Sequence, residues 1–217
     1  MDLFGEAAEH DWTQFEEMAL RQGYSCIAGV DEAGRGALAG PVIAAAVVFP
    51  RGAAIPGIND SKKLTPARRD SLFELIMDKA LAVGVGSGDH LLIDRINILR
   101  ATLTAMKEAV LNISPNPDYL IIDGISKIPV GIHQRTIIKG DSASISIAAA
   151  SIVAKVTRDR LMAGFEKLYP GYGFAAHKGY GCAAHMDAIA RLGPCVIHRK
   201  TFRGVREHVK GVGGRGA

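Results

Sequence analysis

The sequence predicts a mixed α/β fold, a five-stranded sheet with helices on both faces and a small helical region after it. Three observations carry this. Two apolar runs, 25–31 and 42–49, stand close together near the start. From residue 65 onward, helical and strand patterns alternate. Residues 119–122, Tyr-Leu-Ile-Ile, form a short, wholly apolar run of the kind found in a sheet covered on both faces.

Taken in order, residues 6–21 read as a short amphipathic helix closed by Gly23. Strand one follows at 25–31 and strand two at 42–49, joined through Gly34-Arg35-Gly36 and Gly40-Pro41. Thr65-Pro66 is an N-cap with proline at the first helical position, so a helix should run to about residue 80 and bury Leu72, Phe73, Ile76 and Met77. Strand three is 81–87. Ile96, Leu99, Leu103, Met106, Val110 and Ile113 then repeat at helical spacing, which predicts one long helix over 89–113. Strand four ends in Asp123-Gly124, and strand five, from Arg135, ends in Lys139-Gly140-Asp141. A helix rich in Ala and Ser covers 143–168, its small side chains suited to close approach. The segment YPGYGFAAHKGYG reads as an ordered loop, and 182–192 as a last helix.

The 217 residues, with 48% hydrophobic and 22% charged, suffice for one domain with a sizeable core. Three cysteines are too few for a disulfide framework. The acidic N-terminus lacks the apolar stretch of a signal peptide, and the longest apolar run is interrupted by Gly40-Pro41, so a cytoplasmic location is expected. Residues 198–217 hold six Lys/Arg against one acid, while 1–197 are nearly neutral. A basic end on a neutral body suits a polyanionic partner, as it also suits a solubilising tail.

The chemistry lies at the strand ends. Strand one ends in Asp31-Glu32, strand four in Asp123 and strand five in Asp141. If these strands are parallel neighbours, their carboxylates meet at one sheet edge, where ligands of such sheets bind. Clustered acids cannot all stay ionised unaided. Hard cations that prefer oxygen, Mg²⁺ or Mn²⁺, resolve this, and no Cys/His set surrounds these acids to suggest zinc. Two such ions roughly 4 Å apart suit phosphodiester cleavage. The bland reading is that each Asp only caps a turn or helix. Neighbouring strand residues face opposite ways, so Glu32 reaches the site only through a bend, from the rim, or through its carbonyl. Asp159 lies roughly 27 Å beyond Asp141 along an unbroken helix, too far to join, and pairs more naturally with Lys155.

At these residues the chain resembles bacterial type 2 ribonuclease H (ribonuclease HII). The likeness covers about residues 25–203 and rests on an ordered set of motifs: GVDEAGRGALAGPV, DSKKL, IDRINILRATLTAM, LIIDG, KGDSASISIAAASIVAKVTRDR, HKGYG and HRKTF. The resemblance implies an RNase H-like fold. It implies metal-dependent endonucleolytic cleavage of RNA in RNA–DNA hybrids, and cutting 5′ to a single ribonucleotide in duplex DNA, leaving 3′-hydroxyl and 5′-phosphate ends. That is a role in removing ribonucleotides from DNA. Asp31, Glu32, Asp123 and Asp141 match the family's metal-binding catalytic acids. Telling RNA from DNA requires reading the 2′-hydroxyl. Gly34, Arg35 and Gly36 match the loop whose bare backbone does so, and Arg35 can also contact phosphate. Tyr180 matches the tyrosine that sits against the adjoining sugar. Lys62 is suited to a phosphate contact.

Residues 1–203 are therefore expected to form a single catalytic domain, with 1–24 a helical extension and 170–203 a substrate-contacting loop and helix. Residues 204–217 should be a basic tail without structure. Helix 182–192 and the basic segment from His198 should hold the duplex backbone, and a monomer is expected. Alternatives are ribonuclease HIII, for whose N-terminal domain the 24 leading residues leave no room, a transposase- or resolvase-type nuclease, and a silent binding module. Cys182-x-x-His185 and Cys195-x-x-His198 have zinc-pair spacing, but unpaired cysteines are usually buried hydrophobes. The glycine-rich 84–88 lacks a following GK[ST], so a nucleotide loop is a weak reading.

Overall fold

A computed structural model describes residues 11–209. Strands β1 (Ile27–Ala33), β2 (Val42–Val48), β3 (Ala82–Gly88), β4 (Tyr119–Asp123) and β5 (His133–Ile137) form one sheet in the order β3-β2-β1-β4-β5. β2 is antiparallel to β1 and β3, whereas β1, β4 and β5 are parallel neighbours. That arrangement brings the three acidic strand ends to one edge, as the sequence predicts.

Alternation within each strand sends side chains to two cores. On one face Val30, Val42 and Ala44 pack with Ala105, Met106 and Val110 of α4 (Ile98–Leu111). On the other, Ile43, Ala45 and Val47 meet Ala148, Ile152 and Val153 of α5 (Ile145–Leu168), along with Leu72 and Ile76 of α2 (Pro66–Lys79). The small residues of α5 let it ride directly on β1: a Cβ added at Gly29 would overlap the backbone of Ser146. α5 therefore has no freedom to shift without moving β1.

Several boundaries differ from expectation. The stretch 89–113 is not one helix but two, α3 (His90–Ile96) and α4. Asn97 adopts φ 72° and ends the first, then caps the second by accepting from the Arg100 amide. The break turns the apolar face, so Leu99 is exposed while Ala101, Ala105 and Ala109 are buried. In α2, Met77 is exposed and Phe73 only half-buried, because that helix buries a narrow stripe. The glycine- and aromatic-rich loop contains a short helix, α6 (Phe174–His177), before α7 (Ala183–Leu192). The first helix, α1, is observed over Gln14–Arg21, and the part expected at 6–10 lies outside the described residues. Order also runs past residue 203: Val205 is buried with Leu38 and Ile189, and a 3₁₀ turn spans Arg206–His208. Residues 204–209, expected to lack structure, are therefore ordered, and the rest of the expected tail, 210–217, lies outside the described residues. Among the described residues no helix is long and apolar enough to cross a membrane.

Candidate active site

β1 pairs with β4 only as far as Val30 opposite Ile122, so Asp31 and Glu32 project past that pairing. Asp31 is buried; its Oδ1 accepts from the Glu32 amide at 2.7 Å. Burial, and then the charges of Glu32 and Asp123, raise its carboxyl well above the ordinary range, eased by the Ser151 hydroxyl of α5. Asp123 ends β4, and its Oδ1 accepts from the Gly140 amide at 2.7 Å. This bond ties β4 to the turn after β5 that carries Asp141. Asp141 is buried, and its carboxyl is raised by burial and by the charges of Asp123 and Asp60, with Lys62 opposing. Glu32 is raised by burial, against the pull of Arg35, whose Nη1 donates to Glu32 Oε1 at 3.0 Å.

β1 stays regular through Glu32, which pairs with Ala44. The bend that would swing Glu32 inward does not occur, and its carboxylate lies at the rim. There it lines a cleft of about 230 Å³ with Gly34, Arg35, Gly36, Ser61, Lys62, Ser151, Lys155 and Tyr180. The acid edge and this cleft share Glu32, Lys62 and Ser151, so the two adjoin.

These groups suit a hard divalent cation. The donors are carboxylate oxygens, three of the four have raised pKa values, and a cationic ammonium already leans toward them. Burial would lower Lys62, but the charges of Asp141, Asp60, Asp31 and Asp123 raise it overall. Among the described residues no three or more His, Cys, Asp or Glu stand close enough to cage an ion as they are. To hold one, the acids would have to draw together.

The loop between β1 and β2 shows two different uses of glycine. Gly34 has φ +93°, and a Cβ there would strike the Arg158 guanidinium, so the fold itself requires glycine. Gly36 has ordinary φ, and a Cβ there would meet nothing within 4 Å. Its bareness serves no internal packing. Tyr180 is partly exposed, its ring under Arg158 at 5.4 Å and Lys155 at 5.8 Å from the centroid. Lys155 also pairs with Asp159 at 2.7 Å, the pairing expected for Asp159.

Sequence reasoning missed several neighbours. Ser61 and Ser151 share a hydrogen bond of 2.8 Å beside the acids, and Lys155 lies one turn beyond Ser151 on the cleft side of α5. The i,i+4 spacing of Ser151 and Lys155 was the available signal. Asp60 adds a fifth charge near the cluster. One expectation is corrected in part: His198 and Arg199, at the start of the basic segment, are fully buried and cannot face a duplex, while Lys200, Arg203 and Arg206 are exposed. Within the Cys/His pairs, the two histidines are engaged internally. Cys182 precedes α7 as its exposed N-cap, while His185 Nδ1 bonds the Tyr180 carbonyl and its Nε2 bonds His198 Nε2 at 3.1 Å.

Residues 28–205 match the family model described as Ribonuclease HII. A ribonuclease HII of Geotalea uraniireducens is 68% identical over 210 residues, covering 97% of each chain. The ribonuclease H2 of Pyrococcus horikoshii superposes with a TM-score of 0.70 at 26% identity, over 84% of this chain and 96% of that one. Bst-RNase HIII in complex with Mn²⁺ shares the fold, with a TM-score of 0.67 at 22% identity, over 84% of this chain and 68% of that one. Motif order, sheet topology and near-complete coverage agree: the chain belongs to the ribonuclease HII family and is a ribonuclease H, an endonuclease acting on RNA–DNA hybrids.

Proposed function

We propose that the protein cuts 5′ to single ribonucleotides in duplex DNA, as well as RNA in hybrids, leaving 3′-hydroxyl and 5′-phosphate ends. Its role is to free DNA of ribonucleotides, and it works as a monomer in the cytoplasm. The catalytic unit spans 1–203. The observation that carries this reading is the convergence of Asp31, Glu32, Asp123 and Asp141 on one sheet edge beside the open Gly36.

The family depends on divalent metal. Mn²⁺ or Mg²⁺ held by the four acids would activate water and stabilise the leaving 3′-oxygen when bound. The protein's own groups handle the substrate. The bare backbone of residues 34–36 approaches the sugar closely enough to hydrogen-bond a 2′-hydroxyl. A deoxyribose offers no such group, which leaves the backbone donors unpaired and costs binding. Tyr180, cushioned by Arg158 and Lys155, lies against the neighbouring sugar. Lys62 and Arg35 contact phosphate, Arg35 by releasing Glu32.

The test is cleavage of duplex DNA with one embedded ribonucleotide beside an all-DNA duplex, with Mg²⁺ or Mn²⁺. Cutting is expected at the 5′ side of the ribonucleotide alone. Equal cutting of both duplexes, or none of either, would sink the reading.

A further inference from the structure

Arg199 is a fully buried cation with no carboxylate ion-pair partner among the described residues. Its Nε donates to the Gly40 carbonyl at 3.0 Å, Nη1 to Arg35 O at 2.8 Å and Nη2 to Gly34 O at 2.7 Å. Burying a charge is costly, and an apolar side chain would fill the same space more cheaply. What the charge secures is the orientation of two peptides. A trans peptide is planar, with its C=O and N–H pointing opposite ways. Holding Gly34 O and Arg35 O inward turns the N–H groups of Arg35 and Gly36 away from Arg199.

The preceding residue, His198, holds the other half of the cleft. His185 Nδ1 lies 3.0 Å from the Tyr180 carbonyl and must donate to it. In a neutral ring, His185 Nε2 is then an acceptor, so His198 Nε2 donates to it at 3.1 Å. His198 Nδ1 in turn accepts from the Cys195 amide at 2.9 Å. One directed chain thus runs from Cys195 through both imidazoles to the backbone of Tyr180. Between the two side chains, the backbone is itself pinned: Arg199 N donates to Leu38 O, and Gly40 N to Ile197 O.

We propose that His198-Arg199 is a specificity-determining positioning pair, which sets the spacing between the 34–36 backbone and Tyr180. This rests on the proposed role of those two groups in reading ribose. A single ribonucleotide offers one 2′-hydroxyl, so a misaligned reader misses it. A continuous hybrid offers one at every step, so misalignment costs less.

The experiment compares kcat/KM on a duplex with one ribonucleotide and on a continuous RNA–DNA hybrid, for the full chain and four variants. Arg199→Gln should lose about tenfold to a hundredfold on the single ribonucleotide and under about threefold on the hybrid. His198→Asn, which keeps the Cys195 bond and drops the His185 bond, should follow it. His198→Gln, whose amide can still donate to His185, should restore the preference. Equal losses on both substrates, or no loss, would overturn the proposal. Should Arg199→Gln fail to fold in a thermal melt, Arg199→Lys, which keeps the charge but not the three-way grip, decides by the same ratio. A wild-type chain that ignores the single ribonucleotide would instead defeat the function proposed above.

Discussion

Lys62 Nζ stands 3.6 Å from Asp141 Oδ2, with most of the lysine side chain in solvent and the carboxylate buried. The ammonium is a countercharge on a swinging arm. On the proposed function, it would steady the acids in the absence of an ion and move to a phosphate in its presence. Lys62→Met should therefore lower Tm by about 1–3 °C in chelator, a small effect for so exposed a pair. The gap should close in saturating Mg²⁺, while KM for the duplex rises. Thermal melts with and without metal, alongside steady-state kinetics, check both halves.

Asp31→Asn should abolish cleavage while leaving duplex binding largely intact. It should also stabilise the metal-free protein. A carboxyl whose pKa is raised on folding contributes stability that is present at low pH and lost as pH climbs from the ordinary carboxylate range through the folded value. The variant should match wild type near pH 4 and exceed it by about 2–4 °C at pH 7 to 8 in chelator. Divalent ion should raise the wild type and not the variant. Loss of folding in Asp31→Asn would mean that Asp31 is structural.

His185 and His198 shift the other way. Burial pushes both down to about 4, with the neighbouring imidazole charges adding to it at His198 and, through His177, at His185. Folding therefore disfavours their protonated forms, and stability falls as pH drops from about 6.5 toward about 4. Each imidazole can account for up to roughly 3 kcal/mol of that loss, given folded values of about 4. The raised carboxyls of Asp31, Glu32 and Asp141 act with the opposite sign in this window, so the histidine part is read as a difference: between pH 7 and 4, His198→Gln should lose less stability than wild type in chemical denaturation. Identical pH profiles for the two would refute the neutral hydrogen-bonded chain.

Gly34 and Gly36 should respond oppositely to alanine. Gly34→Ala meets both a positive φ and the Arg158 guanidinium, and should cost about 2 kcal/mol or more in stability. Gly36→Ala should leave Tm within about 2 °C yet reduce kcat/KM on the single-ribonucleotide duplex by about tenfold to a hundredfold. Measuring Tm and kcat/KM for the pair separates the two uses. A Gly36→Ala enzyme of full activity would remove the close-approach argument.

The sheet and its acidic edge were legible because strand ends carry their chemistry in sequence: Asp31, Asp123 and Asp141 each follow an apolar run. The break at Asn97 was not, since Ile96, Leu99 and Leu103 keep helical spacing straight across it and only the backbone turns. Arg199 was misleading for a different reason. A charged residue in a basic segment reads as surface. Only the folded chain brings it the carbonyls of Gly34, Arg35 and Gly40 that make burial tolerable.

The three bonds from Arg199 to residues 34–40 join points about 160 positions apart in the chain. All four acids precede Arg199 in the chain, Asp141 by 58 positions. A chain ending at residue 190 would carry its complete set of carboxylates, while the carbonyls of Gly34, Arg35 and Gly40 would lack the guanidinium that holds them. Order of manufacture thus puts the acids in place before the residue that fixes the 34–36 backbone.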